Sequence, residues 1–219
     1  MFATVNGIEL YYEVQGEGKP LILVHGNSED HTIFDIAAPI LAKKYTVYLV
    51  DSRGHGESTK TSNNLNYETM ADDIAEFSRQ LKLEKPSYYG LGDGGIIGII
   101  VASKYPDILS NLIVSGANLN PGGIKTWARW FLRIFNFLHP TNRFRLMLEH
   151  PNITDDELKP IKCRTLVLAG KGDMVVEEHT KYIASHIKDA ELRLLDGETL
   201  VSYVVHSEKI AHIIEDFIK

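Results

Sequence analysis

Short, nearly continuous apolar runs alternate along the chain with longer segments whose apolar residues recur at helical spacing. That rhythm predicts a mostly parallel sheet, buried on both faces, with helices packed against it. The runs "PLILVHG", "YTVYLVDSRG", "PSYYGLG", "LSNLIVSGANL", "RTLVLAGKGD" and "AELRLLDG" are expected to be strands. Between and after them, "HTIFDIAAPILAKK", "YETMADDIAEFSRQLKL", "GGIIGIIVASKYP", "EEHTKYIASHIK" and "EKIAHIIEDFIK" are expected to be helices, the third apolar nearly all round and therefore central. The start of the chain differs: "FATV" and "IELYYEV" alternate apolar with polar residues on either side of Asn6-Gly7, which predicts an antiparallel hairpin at one edge. Right-handed crossovers then give an α/β fold with a doubly wound, mostly parallel sheet.

One segment breaks the rhythm. Residues 118–162 contain no strand pattern, only "GIKTWARWFLRIFNFLHP", "NRFRLMLEH" and "TDDELKPIKC" in helical spacing. The expected organisation is a core of residues 1–117 and 163–219 with a helical cap insertion, 118–162, over the carboxyl ends of the strands. Trp127, Trp130, Phe131, Ile134, Phe135 and Phe137 make the insertion aromatic. Packing onto the core accounts for most of them, and a pocket for an apolar ligand, with Trp127 and Trp130 at it, is the sharper alternative. The same apolar surface leaves room for a homodimer.

Composition narrows the function classes. A chain of 219 residues with 44% hydrophobic and 24% charged residues suits one globular core. The net charge of −6 gives no footprint for nucleic acid, and the basic residues of "KTWARWFLR" read as a solvated helix face. No run approaches a membrane span, no secretory leader is evident, and the lone Cys163 reads as a buried thiol; a cytoplasmic protein without a membrane partner is the expectation. His179 and His186 fall seven apart on one predicted helix, which suggests an exposed face, and no metal or cofactor motif is present.

Four motifs, in order and at strand ends, carry a resemblance. "LVHGN" (23–27), "DSRGHGES" (51–58), "GLGDGG" (90–95) and "LAGKGD" (168–173) together resemble the α/β-hydrolase fold family over essentially the whole chain. The resemblance implies a serine hydrolase of esters or C–C bonds. It places the oxyanion loop at His25, Gly26 and Asn27, with the backbone N–H groups of Asn27 and Asp93 as donors, the nucleophile elbow at residue 92, and the triad acid at Asp173.

The sequence departs from that pattern at two places. Residue 92 is glycine where the elbow carries serine, and Leu200 stands three residues after Gly197, where relatives carry the histidine. Leucine accepts no proton, and an isolated Asp173 activates no hydroxyl. Asp93 as a carboxylate nucleophile is disfavoured because the elbow's glycine spacing centres on residue 92. His206 is expected to be a helix-start or surface histidine, Ser28 a turn residue beside the pocket, and His25 and His55 to organise loop hydrogen bonds. Two functions follow: a binding protein for a small apolar carbonyl or carboxylate compound, with Leu200 lining its pocket, or a hydrolase using an atypical site.

Overall fold

The structure, a computed structural model, describes residues 1–60 and 65–219. Strands β1 (Phe2–Val5) and β2 (Ile8–Gln15) form the hairpin, with Val5 opposite Ile8 and Asn6 and Gly7 both at positive φ, as a two-residue turn demands. β2 pairs antiparallel with β4 (Tyr45–Val50), and every later pairing is parallel. The strand order is β1-β2-β4-β3-β5-β6-β7-β8, with β3 (Lys19–Val24), β5 (Ser87–Leu91), β6 (Asn111–Ser115), β7 (Arg164–Gly170) and β8 (Ala190–Leu195).

The two faces are legible in single strands. In β3, Ile22 and Val24 face a core shared with α2 (Tyr67–Gln80), α3 (Asp93–Lys104) and α7 (Glu177–His186). Leu21 and Leu23 point the other way, onto α1 (Ala37–Leu41) and α9 (Lys209–Ile218). Alternate side chains therefore build two separate cores, and the continuous apolar run is the sum of both. As the pattern predicts, α3 is buried from Asp93 to Ala102.

The predicted helix over "HTIFDIAAPILAKK" is instead a 3₁₀ turn at His31–Phe34, capped by the Asp30 carboxylate on Thr32 N–H, followed by the five-residue α1. Pro39 is the reason: one continuous helix would place it in the interior, where it would leave the Asp35 carbonyl without its donor. In α1 it falls within the first turn. A short α8 (Leu200–Tyr203) follows β8, where no element was expected.

Between β6 and β7 lie a 3₁₀ turn at Pro121–Gly123, α4 (Thr126–Leu138), α5 (Asn142–Glu149) and α6 (Asp155–Leu158). A single bridge, Ile124 to Val175, ties this segment to the loop after β7. The segment crosses the carboxyl ends of the strands, where Arg143 donates to the Gly54 carbonyl at 2.5 Å. The expectation that its aromatic residues pack onto the core fails: Trp127, Trp130, Phe131, Phe135 and Phe137 are all more than half exposed. Only Ala128 of α4 is buried, so the helix turns its narrow small-residue side inward.

The loop after β4 is pinned by a two-point ion pair, Arg53 Nε to Asp73 Oδ2 and Arg53 Nη2 to Asp73 Oδ1, both 2.7 Å, with Asp73 buried. Removing one partner leaves a buried charge, so Arg53→Ala is expected to destabilise the fold by roughly 3 kcal/mol, read from the urea midpoint.

Candidate active site at the strand ends

The turn from β5 into α3 has the geometry of a nucleophile elbow. Gly92 sits at φ +50°, ψ −111°, its N–H donating to the Ser115 carbonyl and its carbonyl accepting from Ile96 N–H. A Cβ at residue 92 would meet only the Gly26 Cα, at 3.8 Å. A Cβ at Gly90 would lie 2.2 Å from the Gly94 backbone, and one at Gly94 2.3 Å from the Val24 carbonyl oxygen. Glycine is thus required at 90 and 94 by packing, whereas residue 92 has room for a side chain and opens into a cavity.

That cavity, of about 280 Å³, is largely apolar at its walls. Leu132 of α4, Phe144 and Met147 of α5, Met174 and Leu200 form much of it, with Asn27, Ser28, Glu29, Gly92 and Asp93 at its polar end. Trp127 and Trp130, expected at the pocket, are absent from this lining and stand 54% and 64% exposed on the outer side of α4. The helical spacing located the amphipathic helix, but it could not say which side meets the sheet. Leu132, Phe144, Met147, Met174 and Glu29 were not anticipated; only the fold of the insertion brings them to one place.

The loop after β3 is held by buried hydrogen bonds. His25 is fully buried, donating from Nδ1 to the Gly26 carbonyl (2.7 Å) while Nε2 accepts Ser52 N–H (3.1 Å). Burial pushes its pKa down and that of His55 to about 3, so both rings are neutral, and their centroids lie 5.2 Å apart. His25 is therefore a scaffold for the loop and does not line the cavity. Gly26 does line it, yet its N–H is taken by the Glu29 carboxylate at 2.9 Å. Among the described residues, the N–H groups of Asn27 and Asp93 have no acceptor within the protein.

Asn27 joins the two halves of the site: its Nδ2 donates to Asp93 Oδ2 (2.8 Å) and to the Arg143 carbonyl (3.2 Å). Burial raises the Asp93 pKa to about 6 against the opposing hydrogen bond from Asn27. The Tyr67 hydroxyl is buried beside this carboxyl without a hydrogen bond of ordinary geometry. Because the folded pKa lies above the unfolded value of 3.8, the unfolded state releases the proton first, and stability falls as pH rises from about 4 to about 6. Asp93→Asn is expected to raise stability at pH 8 by on the order of 2 to 3 kcal/mol and to change little at pH 4, which urea melts at the two pH values measure.

Asp173 lies at the end of β7 with Oδ2 accepting Gly170 N–H at 2.8 Å and Oδ1 accepting Leu200 N–H at 2.5 Å. Burial pushes its carboxyl up against these bonds. Asp173 and Leu200 are therefore joined, but through the Leu200 backbone; the Leu200 side chain packs over Gly116 and into the cavity. His206 is not beside them. It sits at φ +49°, its Nδ1 2.7 Å from Asp35 Oδ1, on the exposed side of the last loop. Ser28, at φ +62°, donates to Asn27 Oδ1 and has no base next to it. His179, expected on an exposed face, is half-buried and accepts Leu119 N–H at 2.9 Å. No cluster of metal-ligating side chains occurs among the described residues.

Residues 19–159 match the α/β hydrolase fold family, and the chain belongs to it. Mouse and human proteins named serine hydrolase BPHL are 25% and 27% identical to it, each alignment covering 98% of this chain and 84% of the relative. A soluble epoxide hydrolase from a Corynebacterium species is 32% identical over 56% of this chain and 42% of its own length. Among solved structures, an esterase from Thermogutta terrifontis matches with a TM-score of 0.81 at 24% identity, over 100% of this chain and 97% of the other. An esterase from Exiguobacterium antarcticum gives 0.83 at 21%, over 100% and 98%.

Proposed function

We propose that this chain binds a small apolar carbonyl compound on a hydrolase scaffold and turns it over little or not at all. The observation that carries this reading is Gly92: an elbow torsion, open space for a side chain and a cavity in front of it, but no atom to attack a carbonyl. Leu200 removes the base as well. What remains is a pocket with two N–H donors that have no acceptor among the described residues at one end, and methyl and phenyl groups along much of the rest.

The charges at the polar end refine the ligand class. Glu29 and Asp93 both face the cavity, and burial raises both pKa values, so a bound carboxylate would lie beside two groups that already resist ionisation. A neutral carbonyl meets no such repulsion. Hexanamide is expected to raise the melting temperature at pH 8 while the isosteric hexanoate is not, and hexanoate should gain affinity as the pH is lowered through about 6. Equal stabilisation by both at pH 8 speaks against this assignment.

A second reading, a hydrolase with an atypical site, is favoured by Asp93, whose pKa near 6 suits a base that directs water at a carbonyl held by the N–H pair. Ester hydrolysis by the native chain that is abolished in Asp93→Asn selects this reading.

A further inference from the structure

Outside the cavity, the outer side of α4 carries seven exposed apolar residues. Viewed down the helix, Phe137, Trp130, Ile134, Trp127, Leu138, Phe131 and Phe135 occupy one continuous arc of about 160°, and all are classed as exposed, with Phe137 at 86%. Arg133 borders that arc, about 40° beyond Phe137, and Arg129 lies about 40° further round the helix. The reverse side supplies Ala128 to the core and Leu132 to the cavity. An apolar face of this size that points away from the core marks an interaction surface rather than a packing element.

Charge selects the partner. The chain as a whole carries −6, yet residues 108–148 contain no aspartate or glutamate, and Arg129 and Arg133 lie on the helix itself. A second copy docked through the same face would place arginine pairs against one another across a two-fold axis. An anionic lipid surface complements them, and tryptophan and phenylalanine bordered by arginine are the composition of a helix lying in a bilayer interface.

We infer that α4 docks this protein on anionic membrane surfaces, lying in the interface plane with Trp127, Trp130 and Phe137 inserted and Arg129 and Arg133 at the headgroups. No helix among the described residues is long and apolar enough to cross a membrane, and an interfacial helix has no such requirement. The sequence expectation of no membrane partner rested on the lack of a spanning run and of a secretory leader, neither of which an interfacial helix needs. Docking and the cavity use different side chains of the helix: Leu132 lines the cavity and none of the seven exposed residues does.

The chain has two tryptophans, both in α4, so its tryptophan emission reports this face alone. The test is flotation and emission of the full chain with vesicles of phosphatidylcholine containing one-third phosphatidylglycerol, and with phosphatidylcholine vesicles. The expected result is co-flotation and a shift of emission to shorter wavelength with the anionic vesicles, weakened by salt. Phe137→Glu and the pair Arg129→Glu, Arg133→Glu should each lower the partition coefficient roughly tenfold or more while leaving the circular dichroism spectrum unchanged. Absence from both vesicle fractions overturns the inference, as does a blue-shifted emission in plain buffer that accompanies dimers in sedimentation, which assigns the face to a second copy. Equal flotation with both vesicle types overturns the anionic assignment.

Discussion

Serine at residue 92 together with histidine at residue 200 is expected to raise the initial rate on short-chain p-nitrophenyl esters at least about a thousandfold over the native chain. The parts that those two side chains need are in place. A Cβ at residue 92 clears its nearest neighbour at 3.8 Å and looks into the cavity, and among the described residues the Asn27 and Asp93 N–H groups have no acceptor. Asp173 is held by Gly170 and Leu200 N–H groups, next to the backbone that would carry the imidazole. Neither single substitution should give more than a small fraction of the gain, because a serine without a base is weakly nucleophilic and a histidine without a nucleophile has nothing to activate. Steady-state kinetics on the native chain, both singles and the double variant measure this directly. A double variant no faster than the native chain would place the working histidine somewhere other than residue 200.

The largest effect on stability is expected one residue pair away from the largest effect on rate. Gly94→Ala drives a Cβ to 2.3 Å from the Val24 carbonyl oxygen, and Gly90→Ala drives one to 2.2 Å from the Gly94 backbone. Strand β3, β5 and helix α3 all have to move, and β5 is buried at every position, so each substitution should cost more than about 4 kcal/mol and leave little soluble folded protein. Gly92→Ala, two residues from either, should cost only about 1 to 3 kcal/mol, the strain of an alanine at φ +50° with no steric contact added. Urea unfolding of the three variants separates the cases. The contrast matters for function: the chain retains the close strand-to-helix approach that an elbow requires while its central position is empty.

Much of this was legible in the sequence. Continuous apolar runs such as "LILV" marked the strands because in β3 each face of the sheet has its own apolar layer, and Asn6-Gly7 marked the hairpin because few other pairs take two positive φ angles. Gly90, Gly94, Asp173 and Leu200 could be placed from loop motifs, since those loops sit at strand ends whose positions the sheet fixes. What escaped depends on the packing of α4 and α5 over the sheet. An amphipathic helix announces that it has an apolar side, but α4 faces the core with Ala128 and Leu132 and turns Trp130 and Phe137 outward. Glu29 and Met147, far apart in the chain, meet only at the cavity. The Asp93 pKa of about 6 is a product of burial, which no local pattern encodes.

The central claim is that the pocket of the native chain holds no activated nucleophile. Incubation with an alkyl fluorophosphonate followed by intact-protein mass spectrometry tests it most directly, with the Gly92→Ser, Leu200→His variant as the reference. The expected result is an unchanged mass for the native chain and one phosphonyl adduct, mapped to residue 92, for the variant. A stoichiometric adduct on the native chain, at Ser28 or any other residue of the cavity, would contradict it and identify the group that does the chemistry.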